Sequence, residues 1–106
     1  MEVIVVGAAD GGLVAALERE GATVTQLESV VDRPALEAAG AVDASLFVVV
    51  DVGQATTIPI VHDLNDGIRS VVYASDTVPE FVRGQLDLAL DPRLIEPSVA
   101  AEELTR

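Results

Sequence analysis

The sequence predicts an α/β domain in which a five-stranded parallel sheet, ordered 2-1-3-4-5, carries helices on both faces. Three observations predict it. Short runs of Val, Ile and Leu alternate along the chain with Ala- and Leu-rich stretches of helical spacing. Half of the residues are hydrophobic but only 3% are aromatic, so small branched side chains must fill the interior, as suits a sheet buried on both faces. Gly and Pro then punctuate the runs where helices start and stop. A chain of 106 residues holds one such domain, residues 1–106, and no second core.

Residues 2–6, EVIVV, form the first strand, ended by Gly7. Leu13, Val14, Ala16 and Leu17 recur at helical spacing, which predicts a helix over 13–20 closed by Gly21. TVTQL, 23–27, is β-prone. Pro34 opens a helix in PALEAAG that Gly40 stops. SLFVVVD, 45–51, is the most continuous apolar run and predicts the central strand. A helix over 56–64 tolerates Pro59 only in its first turn. Asn65-Asp66-Gly67 marks a turn, Arg69–Ala74 the fourth strand, Val78–Arg83 a short helix, Leu86–Leu90 the last strand and Ser98–Leu104 a terminal helix.

Charge narrows the partners. Asp and Glu number 18 against 6 basic residues, all arginine, for a net charge of -12. Such a surface repels nucleic acid and anionic membrane. The chain is too apolar for the disorder that often accompanies an acidic composition. Adaptation to a salty cytoplasm is the expectation that remains, and the composition resembles that of haloarchaeal proteins. No cysteine is present, which removes disulfides and thiolate chemistry, and no apolar run or basic leader suggests a membrane span or export, so a cytoplasmic location is expected.

The stretch GAADGG, 7–12, joins the first strand to the first helix. Gly7 and Gly12 take the places of the first and third glycines of a dinucleotide-binding turn, with Gly11 beside the helix start. Ala9 stands where the second glycine admits the pyrophosphate. Asp10 puts a carboxylate at the electropositive helix end, either beside a bound phosphate or in place of one. Glu28 follows Gly7 by 21 positions, where an acidic residue can take ribose hydroxyls, and is equally readable as one surface carboxylate among many. Asp51 and Thr57 flank the loop after the central strand, where Gln54, Thr56 and Thr57 can hydrogen-bond a base or simply cap the next helix. Ser75, Asp76 and Thr77 end the fourth strand, and Asp76 or Thr77 is expected to start the short helix. His62 has no evident catalytic neighbour, and no metal ligand set or catalytic residue stands out.

Two blocks, IVVGAADGGLVAALEREGATVTQLE and the stretch from Ala35 to Pro97, resemble the TrkA-N type, Rossmann-like nucleotide-binding domain of the RCK regulators of potassium transport. The resemblance implies binding of NAD or an adenine nucleotide through Gly7, Ala9, Asp10, Gly11, Gly12, Glu28, Asp51 and Thr57. It also implies pairing with a second copy and a transporter or other regulatory partner chain. Only Ser29–Arg33 stands where that family has a further helix and strand, so one sheet edge reads as trimmed, and the uncovered edge suggests a homodimer.

The function expected is therefore a non-catalytic sensing or regulatory module, with a structural or interaction domain that has lost its ligand as the alternative. Catalysis is the least supported reading: the chain has no lysine, no G-x-x-x-x-G-K-[ST] loop and no G-x-S-x-G turn. The same strand order also describes phosphoacceptor receiver domains, and Asp51 ends the central strand as a phosphoacceptor would. Receivers, however, need an acidic pair after the first strand, where this chain has Val6-Gly7, and a lysine after the last.

Overall fold

A computed structural model describes residues 1–106. Five strands, β1 (Glu2–Val6), β2 (Thr23–Leu27), β3 (Leu46–Val49), β4 (Arg69–Tyr73) and β5 (Leu88–Leu90), alternate with the helices α1 (Leu13–Arg19), α2 (Arg33–Ala38), α3 (Thr57–Leu64) and α4 (Pro97–Leu104). All pairs are parallel and the order is β2-β1-β3-β4-β5, as the alternating pattern predicts. β2 stands directly at one boundary of the sheet, and the chain runs from it into α2 through a short loop with no further strand.

β3, and β1 and β4 over most of their length, are apolar because both faces are covered. In β3, Leu46 and Val48 join α1 and α4 in one core, while Phe47 and Val49 join α2 and α3 in the other. All four are at most 1% exposed. β1 divides in the same way, with Val3 and Val5 on the α1/α4 side and Ile4 and Val6 on the α2/α3 side.

Two helices end by the same device. Past α1, Gly21 N–H donates to Glu18 O and Ala22 N–H to Leu17 O; past α2, Gly40 N–H donates to Glu37 O and Ala41 N–H to Leu36 O. Both glycines have positive φ, near +90°, and each motif also buries a leucine together with the alanine that follows the glycine. At its start α2 is capped by Asp32, whose carboxylate accepts from Ala35 N–H at 3.0 Å, with Pro34 in the first turn.

The expected helix over 78–83 is instead a single 3₁₀ turn, Glu80–Val82, entered from Pro79 with extended ψ; Asp76 and Thr77 cap nothing. Leu86 N–H turns back to Val82 O, so β5 begins only at Leu88 and keeps three residues. The β4–β5 crossover covers the α2/α3 face with Val78, Val82 and Leu86 rather than with a full helix.

A buried polar node ties this crossover down at the amino rim. Ser70, fully buried, donates its hydroxyl to Gln85 O at 2.8 Å, and its oxygen lies 2.9 Å from His62 Nε2 on α3. Ser70 N–H donates to Asp87 Oδ2 at 2.8 Å. With the hydroxyl proton on the short contact to Gln85 O, His62 Nε2 is the donor in its pair, in the tautomer that carries the Nε2 proton. Ser70→Ala strands the His62 donor and the Gln85 carbonyl. It is expected to cost about 1–3 kcal/mol, measured as a lower urea midpoint at unchanged m-value.

Candidate functional site

The carboxyl rim gathers the loops after β1, β3, β4 and β5, the side on which open α/β sheets hold ligands. One cavity opens there, about 270 Å³, walled by Ala9, Asp10 and Gly11 from the first loop, Val50, Tyr73–Asp76, Pro92 and Pro97. Of the residues the sequence singles out, the structure thus brings together Ala9, Asp10 and Gly11, with Ser75 and Asp76 opposite. Gly7, Gly12, Glu28, Asp51 and Thr57 lie outside the cavity wall.

The side chain of Asp10 and both backbone groups of Gly7 are used within the chain. Asp10 Oδ2 accepts from Val14 N–H at 2.7 Å and so occupies the electropositive start of α1 from within. Gly12 is the residue before the helix. The loop is also held from the edge strand: Gln26 Nε2 donates to Gly7 O at 2.9 Å, and Gly7 N–H donates to Leu27 O at 2.9 Å. Gly7 sits at φ +123°, and a Cβ there would stand 2.6 Å from Val50 Cγ2 and 3.1 Å from Asp51 N. The corner between β1 and β3 is filled by this approach, so no side chain fits at position 7.

The side chains of Asp51, Gln54 and Thr57 in the next loop bond within the chain as well. Asp51 Oδ1 accepts from Gly53 N–H at 2.9 Å and caps a 3₁₀ turn, Val52–Gln54. Thr57 is fully buried and donates to Gln54 O at 2.7 Å, while Gln54 Nε2 reaches across to Ser29 O at 3.0 Å. Thr57 therefore opens α3 from inside the core. Glu28 is an exposed carboxylate just past β2.

Beyond β5 the rim is closed by Asp91 and Arg93. The Arg93 guanidinium forks onto both Asp91 carboxylate oxygens, at 2.8 to 3.2 Å. These hydrogen bonds, with the Arg93 backbone N–H, hold the Asp91 carboxyl below its ordinary pKa. Tyr73 is 2% exposed; its hydroxyl donates to Ile95 O at 2.7 Å and straps the β5–α4 loop over the sheet end. Burial, and then the charge of Glu96, raise the phenol above its ordinary pKa. The cavity's Tyr73, Pro92 and Pro97 carry no motif; only the pairing of β4 with β5 puts them beside the glycine loop.

At the opposite rim, His62, Ser70 and Asp87 form a hydrogen-bonded chain, a neighbourhood for His62 that the sequence does not signal. The serine lies between histidine and carboxylate. A nucleophilic triad instead needs the histidine in the middle and an accessible hydroxyl.

A protein-family model matches residues 3–104, described as a family of unknown function, DUF7126. The chain belongs to this family. No curated protein matches the DUF7126 chain in sequence. Among solved structures, a Burkholderia pseudomallei protein assigned to pilus assembly aligns with TM-score 0.67 at 15% identity, covering 100% of this chain and 87% of that one. A Burkholderia thailandensis protein assigned to pilus assembly gives 0.63 at 14%, covering 100% and 96%. A Burkholderia pseudomallei response regulator, solved with a phosphorylated aspartic acid, calcium ion and citrate, gives 0.63 at 22%, covering 97% and 69%. At these identities the likeness is one of fold.

These findings correct the TrkA-N resemblance. The shared features are those of a doubly wound sheet in general, and the chain's neighbours in fold include a response regulator, not an RCK domain. Nothing in these findings supports the nucleotide binding that the resemblance implied, the halophilic source read from the charge, or the pairing with a second copy read from the resemblance and the open edge. No helix of the DUF7126 chain is long and apolar enough to cross a membrane.

Two outcomes test this geometry. Asp10→Ala is expected to lower stability by about 1 kcal/mol through loss of the α1 cap. Gly7→Ala is expected to cost at least about 2 kcal/mol, combining overlap with Val50 and an unfavourable φ. Both are read by chemical denaturation. In an NMR titration the Asp91 carboxyl is expected to protonate below the ordinary aspartate range, and Arg93→Ala to move it up. A lowered folded-state pKa means that the pairing stabilises at pH above the unfolded-state value, and that this is lost as pH falls through the folded-state value.

Proposed function

We propose that this DUF7126 domain is a non-catalytic interaction domain on a receiver-like scaffold, and that it works without aspartyl phosphorylation. One observation carries the reading: the corner where a receiver places its acidic pair against the phosphoacceptor is occupied by the Gly7–Val50 approach, at 2.6 Å from any Cβ. The chemistry around it agrees. Asp51, at the phosphoacceptor's place in the chain, spends one carboxylate oxygen on Gly53 N–H. Asp91-Pro92 follows the last strand where a receiver carries lysine, and Asp91 is forked by Arg93. The Arg93 charge is engaged by Asp91, so this pair does not stand in for the receiver's free lysine.

The cavity beside the glycine loop does not favour a nucleotide. Its ionisable wall residues are Asp10, Asp76 and the phenol of Tyr73, with no cation among them. Its volume lies below the range usual for small-molecule sites.

Incubation with acetyl phosphate and Mg²⁺ is expected to leave the intact mass unchanged, and a phosphoryl adduct mapped to Asp51 would overturn the reading. In the same preparation NAD, AMP and ATP are expected to leave the melting temperature where it is. A site at 100 times its Kd would add about 2.7 kcal/mol, a readily measured rise for a domain of this size.

A further inference from the structure

The two boundaries of the sheet are not alike. β5 is three residues long, is bracketed by Asp87 and Asp91-Pro92, and so presents the short, charged, proline-ended edge that discourages pairing. β2 is five residues, TVTQL, with no charge and no proline in a chain where 23% of residues are charged. Its register is regular along its whole length, from Glu2↔Thr23 to Val6↔Leu27. Thr23 N–H donates to Met1 O and Leu27 O accepts from Gly7 N–H, so the backbone groups of Thr23, Thr25 and Leu27 face β1. Alternation then turns the N–H and C=O groups of Val24 and Gln26 outward from the sheet. Just past the strand, Val30 is 89% exposed, the largest exposure among the large apolar residues.

We propose that the open edge of β2 is a docking site for an extended, basic segment of a partner protein, which adds as a sixth strand. Backbone pairing with Val24 and Gln26 supplies the register, and Val30 offers an apolar contact at the carboxyl end. Charge selects the occupant. Glu20 and Glu28, both exposed, bracket the strand. Four of the six arginines are already held by the chain's own carboxylates, Arg33 by Asp63, Arg83 by Glu80, Arg93 by Asp91 and Arg106 by Glu103. Around the strand, exposed Glu18, Glu20 and Glu28 stand against the one unpaired Arg19, so the surface that an incoming strand meets is acidic on balance. A second copy would bring a net charge of -12 against -12, whereas a strand flanked by Lys or Arg is attracted.

The proposal rests on the interaction reading above, and the two can fail separately. Phosphorylation of Asp51 would overturn that reading with edge binding intact, while loss of edge binding leaves the rim chemistry as it stands.

The probe is a fluorescein-labelled peptide of alternating Val and Thr with lysine at each end, added to the full chain and followed by anisotropy. Saturable binding is expected, with none for the same peptide ending in glutamate. Amide exchange at Val24 and Gln26 is expected to slow about tenfold or more on saturation, with no such change in β5. Val24→Pro removes an outward N–H and no bond to β1, and is expected to weaken binding about tenfold with the fold retained. The exchange measurement on the unaltered chain decides the matter if that variant does not fold. Absence of binding, unchanged exchange at both amides, or full binding by a folded Val24→Pro variant would overturn the proposal. So would self-association in sedimentation that Val24→Pro abolishes, because it would give the edge to a second copy.

Discussion

The close approach of the β1 loop to the β3 loop is the constraint on which the carboxyl rim depends. In an order 2-1-3-4-5 sheet the connections leave β1 and β3 toward opposite faces, and the gap between them is where such folds normally admit a ligand. Here Gly7 brings its backbone against Val50 and Asp51 so tightly that a methyl group would overlap. The glycine answers a packing demand between two stretches of protein, whereas in a nucleotide-binding turn it would make room for a phosphate. Gln26 and Leu27 then hold the same loop from the other side, so the corner is fixed by three strands at once.

Given a filled corner, the polar groups around it have to be satisfied by the chain itself. The cost of an unpaired buried donor or acceptor explains this for Thr57 and Tyr73, which are buried, whereas Asp10 is half-buried and Asp51 exposed. Asp10 takes the α1 amide, Asp51 the amide of Gly53, Thr57 the carbonyl of Gln54 and Tyr73 the carbonyl of Ile95. No buried side-chain nitrogen or oxygen is left without a partner. Poised active sites tend to keep such groups strained or underused. On this rim the side chains of Asp10, Asp51, Thr57 and Tyr73 are all engaged within the chain.

Much of this was legible in the sequence, and the limits have physical causes. Strand order, the two Gly-terminated helices and the buried β3 follow from local periodicity and turn chemistry, which are encoded within a few residues. Asp10 as a helix cap was legible for the same reason, since it lies four residues from Val14. The filled corner was not, because it depends on Val50 meeting Gly7 across 43 positions of chain, a tertiary fact with no local signature. The same holds for Ser70, which meets His62 and Asp87 only after β4 and the crossover are placed. The 3₁₀ turn at Glu80–Val82 shows the reverse error: a Pro-led pattern of helical type is too short to propagate once Leu86 is drawn back to Val82. The TrkA-N resemblance failed because a glycine turn and a distant acid belong to many doubly wound sheets, so they describe an architecture more than a lineage.

An uncharged five-residue edge would be a liability on most proteins, since nothing in its backbone distinguishes a partner from a second copy. The charge of this chain supplies that distinction at long range instead of at the strand. Like-charged molecules must approach within a Debye length, about 8 Å at physiological ionic strength, before backbone groups can pair. Over that distance a net charge of -12 opposes self-approach. Hydrogen bonding at Val24 and Gln26 can then remain generic, because selection has already occurred in the field around the molecule. An acidic surface and a neutral edge are thus complementary features: the first makes the second tolerable, and together they define a site open to basic chains and closed to the protein's own.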